Sequence, residues 1–286
     1  MDRIRKIERL IEPEFVIEGA GVLLRRSIAP SPANLFDPFL LFDHFAFNDP
    51  LEGPIRGFPM HPHRGIETVT YILDGAVNHR DSLGNSGRIG PGDVQWMTSG
   101  SGILHEEMPR RGPSGAIYGF QLWVNLPARL KMSAPRYQEV KAERIPSTDR
   151  DGICLRVVAG EVLGLRGPVT EIAADPLYVE VTLAPGIELV QPVPAGHTAV
   201  AYLFEGEAAF GDSADPVQAV KLVKFGPGEA VRVRAGAAQP ARFMLMAGAP
   251  IGEKIVPYGP FVMNTVEEIQ QALDDLRSGN FVRSHA

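Results

Sequence analysis

TVTYILDG (Thr68–Gly75) and AVAYLFEG (Ala199–Gly206) lie 131 positions apart and share one pattern, an apolar run closed by an acid and a glycine. A second pair, IGPGDVQWMTSG (Ile89–Gly100) and FGPGEAVRVRAG (Phe225–Gly236), recurs at an offset of 136. A period this long is that of a whole small domain, so the chain reads as two related units. Each segment is rich in β-branched and aromatic residues and ends in a turn residue, which is the signature of a strand. Outward from these segments the same texture continues: PFLLFDHFAF, YGFQLWVNL, ICLRVVAG, LYVEVTL, AVKLVKF and ARFMLMAG are short runs punctuated by 30 glycines and 25 prolines. Strands recurring every ~8–12 residues predict a mostly β protein built as sandwiches or barrels.

One long helix is expected. Thr265 and Glu268 form a capping box at the head of VEEIQQALDDLRSG, with Val266, Ile269, Ala272, Leu273 and Leu276 on one face and Gly279 as a stop. The polar stretch from Lys131 to Asp151 breaks the strand pattern. It predicts domains at 1–135 and 153–286 joined by a linker at 136–152.

Composition narrows the function classes. The 286 residues are 44% hydrophobic and 22% charged, with a net charge of −6 and scattered Lys and Arg. No basic stripe is available for a phosphate backbone, so direct nucleic-acid binding is not expected. No apolar run approaches the ~20 residues of a membrane span. A single cysteine, Cys154, cannot form an internal disulfide, and the N-terminal stretch lacks a signal-peptide core. The reading is a reduced, cytoplasmic protein in which Cys154, between apolar neighbours, is an inert thiol. No nucleophile elbow, P-loop or dinucleotide-binding glycine pattern is present.

The chemistry concentrates in the first unit. His61-Pro62-His63 and His105-Glu106-Glu107 are two pairs with a spacing of two, and alternation along a strand points both members of each pair to one face. If the two strands come together, three imidazoles and a carboxylate converge on a divalent transition metal. Glu67 is the competing carboxylate. Four extended residues separate it from His63 by ~13 Å, so it reaches the same ion only if Arg64-Gly65 bends the chain. Glu107 is therefore the expected ligand, with Glu67 a partner of the ligands or an alternate. The repeat acts as an internal control, because offsets of 131 and 136 place Pro192, Pro194, Ala241 and Phe243 at the four ligand positions. Only the first unit is expected to bind metal. His44, His79, His197 and His285 read as ordinary polar residues. Phe45, Phe47, Phe58, Met60, Trp96, Met97, Phe120 and Trp123 read as core, some of them lining an aromatic-shaped pocket.

FDPFLLFDHF (36–45), FPMHPHRGIETVTYILDG (58–75), NHRDSLGNSGRIGPGDVQWMTSGSGILHEEMP (78–109), FQLWVNLP (120–127) and YGPFVMNT (258–265) resemble the pirin family of the cupin superfamily. The resemblance spans nearly the whole chain. It implies two cupin-type antiparallel β-barrels of jelly-roll form with a C-terminal helix, and a metal in the N-terminal barrel held by His61, His63, His105 and Glu107. It also implies iron as the metal, with Mn(II), Co(II), Ni(II), Cu(II) or Zn(II) compatible with the same donors. Two kinds of function follow from the family. One is quercetin 2,3-dioxygenase activity, in which a flavonol and dioxygen are the substrates, Glu107 accepts the 3-hydroxyl proton as general base, the central ring is cleaved and carbon monoxide is released. The other is a metal-binding regulatory protein that acts through protein–protein contacts.

Overall fold

A computed structural model describes residues 3–45 and 57–283, so Phe47 and His285 lie outside the described residues. The chain forms two compact units, one comprising Met1–Pro13 with Glu143–Pro250 and the other Glu14–Ala142 with Ile251–Ala286.

The His-bearing unit contains a seven-stranded antiparallel sheet and a four-stranded one. The larger sheet runs in the order Arg136–Val140, Val94–Thr98, Ile66–Asp74, Tyr118–Asn125, Phe39–Phe45, Val22–Ile28 and Glu14–Glu18. The smaller runs Phe58–His63, Ile103–Arg110, Ala76–Asp81 and Ser86–Ile89. Ile72 of the larger sheet packs with Val77 and Ile89 of the smaller, so the two sheets share a core. The second unit repeats the plan, with Thr198–Glu205 third in a seven-stranded sheet as Ile66–Asp74 is in the first, and Ala230–Ala235 inside a four-stranded one. Its interior is apolar throughout, from Leu155 and Val179 on the larger sheet to Val231 and Val233 on the smaller. Each unit is thus a jelly roll of two facing sheets, whose hydrogen bonding does not close into a continuous barrel.

The expected domain limits differ from these units at both ends of the chain. Ile7–Ile11 pairs with Lys221–Phe225 and completes the second unit's larger sheet. The helix packs Ile269 and Ala272 on Phe261, Met263 and Phe281 in the His-bearing unit. The expected linker is also structured, since Arg136–Val140 pairs with Val94–Thr98 and Ser147–Arg150 with Ile153–Ala159. Both are edge strands with one side open to solvent, which is why they read as polar. The unit boundary at Ala142 does fall within that stretch.

The second repeat match joins different strands. Ile89-Gly90-Pro91-Gly92 leads from the smaller sheet into the larger, whereas Phe225-Gly226-Pro227-Gly228 leads from the larger into the smaller. Topology instead pairs the His105 strand with Ala230–Ala235. Gly75 corresponds to Gly206, so His79 corresponds to Phe210; Glu107 lies opposite His79 as Val233 lies opposite Phe210. Val231 and Val233, not Ala241 and Phe243, occupy the places of His105 and Glu107. The second unit still has no ligands there, and its valines fill the core instead.

The helix spans Val266–Ser278, with the capping box of Thr265 and Glu268 formed and Gly279 in the left-handed conformation at its end. Val266 is 65% exposed, so the buried stripe is narrower than the spacing predicts. Among the described residues no helix is long and apolar enough to cross a membrane.

Candidate metal centre

The two motifs lie on neighbouring strands of one sheet. His105 is opposite His61 and Ile103 opposite His63, with a bulge between His105 and Glu107. A strand carrying His-x-His presents both rings on one face, and antiparallel pairing sets His105 against them. Ring centroids are 4.3 Å apart for His61 and His105, 5.0 Å for His63 and His105, and 4.9 Å for His61 and His63. Ligand atoms of the three histidines all lie within 4.8 Å of one another.

The protonation pattern suits a cation. His61 Nδ1 lies 2.9 Å from the Pro59 carbonyl and His63 Nδ1 lies 3.2 Å from that of Pro260. A carbonyl only accepts, so both Nδ1 atoms carry the proton and both Nε2 atoms present lone pairs. Those two Nε2 atoms are 3.1 Å apart. Two lone pairs at that separation repel unless a positive centre lies between them. Among the described residues, neither ring nitrogen of buried His105 has a hydrogen-bond partner. Burial lowers the His63 pKa to about 3, with His61 adding to the effect, and holds His105 well below the usual imidazole value. Imidazoles that turn free lone pairs toward one point fit a divalent transition metal.

Glu107 is buried on the same face of its strand as His105, but its carboxylate is not part of the 4.8 Å group. Thr70 Oγ1 donates to Oε1 and Gln121 Nε2 to Oε2, each at 2.9 Å. Thr70 and Gln121 are cross-strand partners on the larger sheet. They were not singled out in the sequence, where only strand register reveals that they meet Glu107.

Glu67 goes elsewhere. Three residues before Thr70, it has the opposite parity and takes the other face of the larger sheet, where Thr98 donates to it at 2.7 Å. It is therefore not placed to partner the ligands. Burial raises its pKa from the usual 4.5 to about 7, against the opposing effect of Thr98, Trp96 and Arg136. A raised carboxyl pKa favours the protonated folded state: the stabilisation is full below about pH 4.5 and is lost as pH rises through about 7. Removing the titration with Glu67→Gln is expected to abolish a loss of up to about 3 kcal/mol between these limits. Urea midpoints of the two proteins at pH 5 and pH 8 check this, and parallel pH dependence would contradict it.

The isolated histidines divide. His44 is buried against Tyr118 and Phe120, and His197 is 3.9 Å from Asp175. His79 is closer to the site than an isolated residue would be, with its ring 5.4 Å from His105, stacked on Tyr137, and Nε2 3.3 Å from Asp81. The signal was the shared parity of His79 and Asp81 in HRDS.

A cleft of about 650 Å³ opens onto His61 and His63, walled by Phe58, Trp123, Gln121 and Pro260. Arg26 crosses its rim, donating to Asp43 and to Glu18. Of the expected aromatic residues, Phe58 and Trp123 line this cleft, Trp96, Met97 and Phe120 are core, and Met60 is exposed.

The segment after His63 is locked from three sides. Gly65 has φ +81°, and a Cβ there would collide with the Val262 carbonyl, so glycine is required. Buried Lys131 donates to the Gly65 and Val262 carbonyls and to Asn125. Arg64 donates to Asp275 at 2.8 Å and stacks over Phe281 at 4.4 Å.

Comparison with known proteins agrees with this anatomy. Residues 22–124 match the pirin domain profile and residues 178–282 the pirin C-terminal cupin domain profile. The chain is 45% identical to a pirin-like protein of Caulobacter vibrioides over 280 residues, covering 97% of this chain and 99% of that one. It is 42% identical to human pirin over 264 residues, covering 91% and 88%. A crystal structure of quercetin 2,3-dioxygenase from Acinetobacter baumannii superposes with a TM-score of 0.85 at 33% identity, covering 98% and 99% of the two chains. With both domains matched and relatives aligned along almost their full length, this chain belongs to the pirin family.

Proposed function

We propose that this protein is a metal-dependent flavonol 2,3-dioxygenase, which cleaves the central ring of quercetin-like substrates with dioxygen and releases carbon monoxide. The observation that carries the reading is the pair of facing Nε2 lone pairs on His61 and His63, with His105 against them, at the floor of a cleft of about 650 Å³. That volume lies within the ~300–1,000 Å³ range of small-molecule sites and accommodates a fused aromatic bicycle. Likeness to the Acinetobacter quercetin 2,3-dioxygenase supports the same substrate class.

His61, His63 and His105 would hold the metal, with Glu107 as the fourth ligand, and Fe(II) is the metal proposed. When bound, the ion supplies Lewis acidity and an open coordination position for a phenolic oxygen. The protein's residues do the rest. Phe58 and Trp123 clasp the flat rings, Glu107 accepts the 3-hydroxyl proton, and Thr70 and Gln121 aim its carboxylate. Arg26 is already matched by Asp43 and Glu18, so among the described residues that line the cleft there is no spare positive charge. A neutral polyphenol suits such a cleft better than a polycarboxylate.

The test is dioxygen consumption and carbon monoxide release with quercetin, after reloading separately with Fe(II), Mn(II), Co(II), Ni(II) and Cu(II). Uptake under one or more metals is expected. Tight metal binding without uptake under any of them would overturn the dioxygenase reading in favour of a metal-dependent docking protein. Glu107→Gln should retain metal through the three imidazoles while kcat falls by ~10²–10⁴, the usual weight of a general base.

A further inference from the structure

We infer that a small apolar cavity on the Glu107 side of the centre is a dioxygen site, separate from the cleft that admits the organic substrate. The inference rests on the dioxygenase reading for its use, but not for the gas site itself.

The cavity has about 30 Å³ for the centre of a water-sized molecule. One water requires only ~10–15 Å³ by such a measure, so a diatomic molecule fits. Its walls are Val22, Leu24, Phe45, Val77 and Ile117, drawn from both sheets and from the loop before Tyr118. Asp43, Thr70, Glu107 and Gln121 form the polar side.

Polarity decides what occupies it. An ordered buried water typically makes ~3 hydrogen bonds. Here the Thr70 hydroxyl and the Gln121 amide already donate to Glu107, and Asp43 already accepts from Arg26 at 2.8 and 2.7 Å. Among the described residues, an entering water could donate to the Glu107 and Asp43 carboxylates but would find no free donor for its own lone pairs, so it falls short of its usual number of hydrogen bonds. Dioxygen has no hydrogen bonds to lose and gains from leaving water for apolar walls.

Position gives the cavity its use. Gln121, Phe58 and Asp43 line both this cavity and the cleft, so they form the partition between the two spaces. The cleft meets the centre at His61 and His63, while the cavity meets Glu107. An aromatic substrate that fills the cleft would close that entrance to gas. A separate apolar pocket lets dioxygen arrive after the substrate is seated.

Crystals of the metal-loaded protein under xenon pressure, read together with oxygen kinetics, test the inference. Xenon is expected between Val77 and Ile117 in the wild type. Ile117→Phe, which fills the space, should remove that peak and raise the KM for dioxygen about tenfold, with metal content and the KM for quercetin unchanged. Val77→Leu provides a milder filling substitution should the larger one impair folding. A wild-type crystal without xenon at this place overturns the gas site whether or not the protein oxidises quercetin. An unchanged KM for dioxygen in a variant that has lost the peak overturns its role in delivery. If no metal supports uptake, the dioxygenase reading falls, and the xenon peak still decides the gas site.

Discussion

His61→Ala and His105→Ala are each expected to give a folded β protein that binds no metal and takes up no dioxygen with quercetin. Both effects follow from how few donors gather at the centre. Three imidazoles make up the cluster, with ligand atoms within 4.8 Å of one another. Removing one leaves two imidazoles with only the Glu107 carboxylate beside them, and either the His61–His63 pair of facing lone pairs or the His105 ring against it is lost. The fold should survive because none of the three builds the core: the unit's interior rests on Ile72, Val77, Ile89 and their neighbours, and the second unit folds the same plan with Val231 and Val233 in place of His105 and Glu107. Metal analysis, circular dichroism and an oxygen electrode read the three quantities separately. Unfolding of these variants would instead make the metal a structural one.

The largest stability effect is expected from Asp275→Ala. Arg64 is 1% exposed and its guanidinium donates to Asp275 Oδ2 at 2.8 Å and to the Phe281 carbonyl at 3.3 Å. Removing one partner of a buried pair leaves the other charge without its counter-ion and costs about 3–5 kcal/mol. In a chain of this size that corresponds to a fall in Tm of roughly 10 °C. The double substitution Arg64→Met, Asp275→Leu should recover most of the loss, because apolar groups of similar volume replace both charges. A second readout links this pair to the metal. Pro260, on the same C-terminal segment, accepts from His63 Nδ1, and loss of such an outer partner weakens metal affinity by ~10–100-fold. Asp275→Ala should therefore bind metal more weakly as well as melt earlier. A variant with parent stability and affinity would mean that the helix is held by Phe261, Ile269 and Phe281 alone.

The legibility of this molecule followed the range of the interactions involved. The strands ending in Gly75 and Gly206 and the capping box at Thr265 depend on neighbours a few residues away, and the structure forms them where the pattern puts them. The same holds for the parity of His61 with His63 and of His105 with Glu107. Register was not legible. Thr70 and Gln121 meet Glu107 only because Gln121 pairs with Thr70 across two strands, and Glu67 leaves the site because one residue of parity turns it to the other face. The Gly-Pro-Gly turns matched in sequence yet join different strands, since a turn encodes its own bend and not the sheet that follows it. Asp275 reads as one more acid on a polar helix face until Arg64 is brought to it from the connection between two strands, 211 positions away. Ile7–Ile11 carries no local mark of its pairing with Lys221–Phe225.

The exchanged chain ends also set an order of events during synthesis. Domains usually fold as they emerge, the N-terminal one first. Here the strand at Ile7–Ile11 is made early but has no partner until Lys221–Phe225 has been translated. The His-bearing unit, nearly complete at Ala142, must wait for everything from Ile251 onward. His63 gains its Pro260 acceptor, and Arg64 its Asp275, only when that final segment arrives. A metal at the centre would therefore reach its full affinity only late, once Pro260 stands behind His63.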